Sequence, residues 1–205
     1  MKTYFHINND CTCDWKEGDI IDFDGNQNYY WQGLSRKGDY IKLSGQEYPS
    51  NLVAEKALKV YKREEGPPKE MKDYHFHPLI TLEQTFQSLG NSLRLNRELI
   101  FEYVRNEFYP ELPSRHSCIW LIPNDTESVD FWKQIIQGNT HKIFKVTVDG
   151  KIHRASQKWL IGGTISVHEW EKLAHRYWQG LESGSLQDEI LFEGKMKILK
   201  DLTTL

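Results

Sequence analysis

Three short stretches of this 205-residue chain set chemistry-bearing side chains against apolar strands. Tyr4-Phe5-His6-Ile7-Asn8 holds one imidazole inside an aromatic run. Residues 113–121 form a polar turn, with Arg115 and Ser117, that feeds the apolar segment Cys118-Ile119-Trp120-Leu121. Gln187-Asp188-Glu189 runs directly into Ile190-Leu191-Phe192, with Gly194 beyond. Side chains two residues apart on a strand share a face, so Gln187 and Glu189 are expected together at a cleft edge. A carboxylate at such an edge can stabilise developing positive charge, most of all where water is excluded. For His6 the plainer alternative is a packed or surface histidine.

Other motifs lead nowhere definite. Cys11-Thr12-Cys13 lacks the second pair a zinc site needs, and His75-Phe76-His77 offers two ligands with no third nearby. Gly162-Gly163 stands without the strand, spacing and helix of a dinucleotide fingerprint. No phosphate-binding loop, nucleophile elbow or zinc-protease motif is present.

The elements that must position these residues can be read in outline. Thr3 to Ile7 predicts a strand from its β-formers. Residues 10–48 suggest loops and short strands. Ser50 is expected to cap a helix to about Lys62, with Val53, Ala57, Val60 and Tyr61 on one face and Gly66-Pro67-Pro68 beyond its end. Thr81 and Gln84 form a capping-box pattern with Gly90 as the stop. A second helix is expected from about Ser92 to Phe108, burying Leu99, Ile100, Tyr103, Val104 and Phe108, with Arg97, Glu98, Glu102 and Arg105 turned away. His116 to Ile122 reads as a buried strand, followed by a helix from about Glu127 to Gln137 that Gly138 stops. Lys142 to Arg154, with Asp149-Gly150 at its centre, predicts a hairpin on a type I′ turn. Ser166 and Glu169 box a helix to about Gln179, with Val167, Trp170, Leu173, Ala174 and Tyr177 as its stripe. Glu189 to Leu199 is expected as a strand pair or a strand bent at Gly194. Helices early and strands late imply an α+β class.

Taken in order, the three stretches resemble the ADP-ribosyltransferase superfamily of diphtheria-like toxins and poly-ADP-ribose polymerases. There a His or Arg sits on the first strand, a Ser- or Tyr-bearing strand lies mid-chain, and a Glu opens a late strand. Tyr4-Phe5-His6-Ile7-Asn8 looks like its aromatic-His opening, with Asn8 in place of a hydroxyl residue. Gln187-Asp188-Glu189 looks like its Gln/Glu-x-Glu motif. Ser117 or Trp120 corresponds to the middle motif. Arg97 to Glu102, Pro113-Ser114-Arg115 and Tyr177 to Gly180 are similar to a bacterial branch, while residues 10–90 match no superfamily motif.

The resemblance implies a single domain over residues 1–205, a split antiparallel β core flanked by helices. It also implies NAD as substrate, with no metal. Glu189 would bond the ribose 2′-hydroxyl and stabilise the oxocarbenium-like transition state. Gln187 would orient the acceptor. His6 and Asn8 would hold the ribose, in one cleft with Glu189 on an adjacent strand. Trp120, Phe131 or Trp132 would stack on nicotinamide. Arg115 would meet the pyrophosphate with its planar fork, or else lie in a surface ion pair. The acceptor could be protein, nucleic acid or small molecule. Water as acceptor would make a glycohydrolase, and loss of chemistry a nucleotide- or partner-binding module.

Composition narrows the partners. With 26 Lys and Arg against 29 Asp and Glu the net charge is −3, so no global basic field favours DNA or anionic lipid. No apolar run is long enough to span a membrane. Three cysteines without framework spacing, and no leader-like N-terminus, fit a cytoplasmic setting.

Overall fold

The longest ladder joins β6 (Lys142–Ser156) to β7 (Asp188–Asp201), antiparallel from Phe144 opposite Asp201 to Ser156 opposite Asp188. Asp149-Gly150 therefore does not turn the chain back, contrary to the expected hairpin. Fourteen residues of β7 give β6 a partner along its length, and the glycine serves a different purpose. Gly150 lies opposite Gly194, both at positive φ (155° and 135°), and a Cβ on either would overlap the other strand's backbone. β7 is one strand with Gly194 at its middle, which matches the bent-strand alternative.

The computed structural model describes residues 2–8, 14–23, 25–36, 40–43, 46–62, 78–136 and 142–203. Cys11, Cys13, Gly66, Pro67, Pro68, His75, His77, Gln137 and Gly138 lie outside the described residues. The chain divides into two compact units: Met1–Trp31, Glu98–Ile161 and Ile165–Leu205 form the first, and Gln32–Arg97 with Gly162–Thr164 the second.

In the first unit, β1 (Thr3–Asn8) pairs β6 on one edge and β5 (Ile119–Pro123) on the other. β5 in turn pairs β7, opposite Ile190, Leu191 and Phe192. Four antiparallel strands thus close on themselves in the order β1, β5, β7, β6. Because β6 occupies one edge of β7, β2 (Ile20–Phe23) follows β5 along the other. This is the expected α+β class with an antiparallel sheet. α4 (Thr126–Ile135) starts where the Asp125 carboxylate accepts from the Ser128 amide at 2.7 Å. It lays Val129 and Trp132 on Ile7, Ile122 and Ile143. α5 (Val167–Trp178) carries the full Ser166–Glu169 capping box and buries Trp170, Ala174, Tyr177 and Trp178. Val167, expected in that stripe, is exposed.

The second unit contains the β3 (Tyr40–Leu43) and β4 (Gln46–Pro49) hairpin and α2 (Ser50–Tyr61), around Ile41, Val53 and Tyr48. Ser50 does not cap α2. Its hydroxyl instead lies 2.6 Å from that of Ser88. The short helix α1 (Tyr29–Arg36) begins at Asn28, whose side-chain Oδ1 accepts from the Trp31 amide at 2.8 Å.

α3 (Pro78–Phe108) is one helix of 31 residues. It runs through Thr81 and Gly90, so neither acts as the expected boundary. An interior glycine costs only about 1 kcal/mol, which the flanking turns absorb. Its buried face in the first unit is Glu98, Phe101 and Val104, while Leu99, Tyr103 and Phe108 stay 47 %, 57 % and 59 % exposed. The charge of Glu98 predicts a place toward water. It is fully buried because its partner is inside. No helix among the described residues is long and apolar enough to cross a membrane.

Alanine at Gly194 is expected to destabilise the protein by about 2–4 kcal/mol, from backbone overlap added to left-handed strain. The readout is a lower urea midpoint at unchanged slope. A midpoint equal to wild type would mean that the two strands have room at their crossing.

Candidate functional site

Arg115 sits in the turn that precedes β5, and that turn is held from two directions. The Ser114 amide and the Ser117 hydroxyl both donate to Glu193 Oε1 on β7, at 3.0 and 2.6 Å. The Asn28 side-chain amide donates to the carbonyls of Arg115 and Cys118, at 2.9 and 3.0 Å. With its backbone fixed, the guanidinium reaches inward. Nε donates to Glu98 Oε2 at 2.7 Å, and Nη1 donates to the Tyr177 hydroxyl at 2.7 Å and to Glu189 Oε1. The Tyr177 hydroxyl in turn donates to Glu189 Oε1.

No member of this network is more than 4 % exposed. Burial alone would lower the Arg115 pKa, but Glu189 and Glu98 outweigh it and raise it well above the ordinary value. Burial pushes the Tyr177 phenol well up even though Arg115 opposes the shift, so Tyr177 stays a neutral donor. Cys118, buried 1 % exposed in the same core, has its thiol pushed up by burial as well. Around them pack Phe101, Ala155, Trp178 and Leu191, an apolar wall that keeps water away from the charges.

His6 belongs elsewhere. Its Nδ1–H donates to the Trp120 carbonyl at 2.9 Å, and its ring lies 5.5 Å from that of Trp15. Burial lowers its pKa to about 4, against a smaller opposing effect of that hydrogen bond. It is therefore neutral at pH 7, with the lone pair on Nε2. Trp15 also contacts Phe144, in the core shared by Ile119, Leu121, Ile190 and Phe192. Leu191 and Glu189 alternate with Ile190 along β7 and point to the opposite side.

The expected common cleft is thus not formed. β5 separates the strands of His6 and Glu189, and the two side chains enter different cores. The intended link survives only through Trp120, whose carbonyl meets His6 and whose ring lies 5.9 Å from the Arg115 guanidinium. Arg115 is not in a surface ion pair; its donors are directed at buried carboxylates. Ser117 spends its hydroxyl on Glu193, and Asn8 ends β1, half-buried.

Gln187 is not on the strand with Glu189. It lies exposed in the turn before β7 and borders a cavity of about 470 Å³ with Phe131, Ser156, Lys158, Glu182, Ser185 and Leu186. Glu189 does not line that cavity. Trp132 is buried on α4.

Two members of the network, Glu98 and Tyr177, carry no local signal of their place in it. The charge of Glu98 points it to water, although its spacing from Phe101 sets both on one helical face. Tyr177 reads as part of an apolar stripe and of a stretch similar to the bacterial branch, and nothing local shows that its hydroxyl has a buried charged partner.

The family model described as a protein of unknown function (DUF2441) matches residues 4–204, and the chain belongs to that family. No curated protein matches it.

Replacing Arg115 with methionine leaves two carboxylates buried without their cation, an expected loss of about 3–5 kcal/mol. Tyr177→Phe removes one donor and should cost about 1–3 kcal/mol. Chemical denaturation ranks the two, and the reverse order would remove Arg115 from the centre of the network. The pH dependence has a defined sign as well. Folded His6 stays neutral to about pH 4, while an unfolded histidine protonates near 6.5. Stability is full above pH 6.5 and falls toward pH 4, by up to about 3 kcal/mol from this group. His116 and His153, also lowered by burial, add in the same direction. Denaturant titrations at pH 7 and pH 4.5 should show a smaller loss in His6→Asn, which retains an N–H near Nδ1.

Proposed function

We propose that this member of the DUF2441 family acts on NAD, moving ADP-ribose to an acceptor with release of nicotinamide. The carrying observation is Glu189, a carboxylate at the start of a central antiparallel strand, shielded from water and fixed by Arg115 and Tyr177. A preorganised carboxylate in such surroundings stabilises an oxocarbenium-like ribose far more than one in water. The closed set of antiparallel strands with flanking helices supports the superfamily resemblance. Glu189 carries the reading without His6, which faces the other core. The Tyr177 hydroxyl, a neutral donor to Glu189 Oε1, is the group whose place a ribose hydroxyl would take.

The same geometry favours a second reading. Glu189 already has a cation and a hydroxyl as partners, as suits a non-catalytic nucleotide- or partner-binding module of this fold.

The deciding assay incubates the full chain with labelled NAD and follows nicotinamide release and ADP-ribose incorporation, with and without cell extract. Wild type is expected to release nicotinamide. Glu189→Gln should lose about 100-fold or more in turnover while calorimetry with NAD stays near wild type, and its urea midpoint falls because Arg115 loses one of its two buried counter-charges. Incorporation into an extract component marks transfer, and release without incorporation marks hydrolysis. Absence of nicotinamide release with every extract would discard the enzymatic reading. Heat of NAD binding would then favour the module.

A further inference from the structure

The strands of the first unit carry an outward row that none of the buried apolar clusters among the described residues reaches. On β6, Phe144, Val146 and Val148 face the interior cluster, so Lys145, Thr147 and Asp149 face out. On β7, Met196 and Ile198 face in, so Lys195 and Lys197 face out. Lys200 joins them across the register shift, directly opposite Lys145. Lys195, Lys197 and Lys200 are exposed and Lys145 is half-buried. None of the four forms an ion pair among the described residues. Like charges directly opposite on paired strands are destabilising, so Lys145 against Lys200 is a cost to the fold. Lysines that guard a sheet edge against further pairing would account for it, but these strands are paired on both sides. Lys145 lies between Phe5 and Lys200, and Lys197 between Thr147 and Ile20. Lys195 differs, because Asp149 and Asp22 stand opposite it on either side. Two nearby acids are already engaged: Asp19 accepts from the Lys16 amide at 2.8 Å and Asp201 from the Thr203 amide at 2.9 Å. Uncompensated positive charge is thus gathered on Lys145, Lys197 and Lys200, in a chain whose net charge is −3.

We infer that this row is a docking surface for the phosphate backbone of a nucleic-acid duplex, bound without reading its sequence. From Asp149 to Lys145 the row runs about 13 Å, a rise over which one strand of a duplex presents about four phosphates. Lysine ammonium groups suit such acceptors as point charges, and Lys145, Lys197 and Lys200 supply them. Phe5, the aromatic residue beside Lys145 on β1, is packed into the cluster under α4. Among the described residues the row therefore offers no open aromatic face to an unstacked base, which favours a duplex over a single strand. Asp22 and Asp149 offset the charge at the Lys195 end and confine it to a short stripe. Anionic lipid is met by larger clusters, of about four to eight basic residues.

The test titrates the full chain, without NAD, into a fluorescent DNA duplex of about 20 base pairs at several salt concentrations and reads anisotropy. Three phosphate contacts predict a log–log salt slope of about −2.7, a loss of affinity of about 40-fold between 50 and 200 mM salt. Lys197→Gln should bring the slope to about −1.8. Lys172→Gln makes the same charge change on exposed α5 and should leave binding as in wild type. Lys200→Glu should weaken binding at 50 mM salt about tenfold or more, by a lost contact and a new repulsion. Its urea midpoint should nevertheless stay at or above that of wild type, because the new carboxylate faces Lys145. No binding of the duplex at 50 mM salt overturns the proposal, as does an equal loss in Lys172→Gln and Lys197→Gln. Tighter binding of the single strand, or of phosphatidylserine–phosphatidylcholine vesicles, than of the duplex overturns the choice of partner. Because NAD is absent from the titration, its outcome is separate from that of the enzymatic reading.

Discussion

The Arg115 guanidinium, enclosed with Glu98 and Glu189, sets the terms on which the first unit folds. Taking such groups out of water costs several kcal/mol per ion, so the arrangement is tolerable only when each donor finds an acceptor. That requirement reaches outward. The later part of α3 must turn a glutamate inward, α5 must supply a phenol, and the turn before β5 must keep its backbone still. Glu193 and Asn28 do the last of these from opposite sides. An apolar replacement of the whole cluster could be as stable. What the charges add is exclusiveness, because a helix rotated by one residue or a slipped strand would strand an ion.

Strand closure imposes a second constraint. Each strand has two edges; β6 serves β1 and β7, and β7 serves β6 on one edge and β5 then β2 on the other, with β6 and β7 crossing closely. Gly150 and Gly194 answer this with the same omission, a missing Cβ on both sides of one contact. The register shift between Lys145 and Val146 lies where β6 adds β7 to the partner it already has in β1.

These two constraints also explain how much was legible in the sequence. Elements with local causes could be read: the Ser166–Glu169 box of α5, the apolar face of Trp170, Ala174 and Tyr177, and the strand around His6. The helix after β5 was placed to within a residue or two at its start, and its cap is Asp125. Misreadings occurred where a distant partner decides. Asp149-Gly150 has the composition of a tight turn, but its conformation depends on Gly194, some forty residues away. Glu98 has the charge of a surface residue, but its place depends on Arg115. The three stretches of the site were found as strand starts and turns. Their grouping was not, because the side a strand residue faces follows from pairing rather than from its neighbours. So Glu189 joins Arg115 and Tyr177, while His6 joins Trp15.

Cys118 has a use that its surroundings create. Its thiol sits beside Ala155, Tyr177 and Leu191 at the heart of the charged core, and burial keeps it protonated. Alkylating reagents attack thiolates, so they act on this sulfur only while the core is open. The rate at which Cys118 is labelled in the folded protein therefore reports the opening equilibrium of that core. A ligand that seats beside Glu189 and closes the structure further would slow the labelling in proportion to its occupancy, whatever it is and whether or not it reacts.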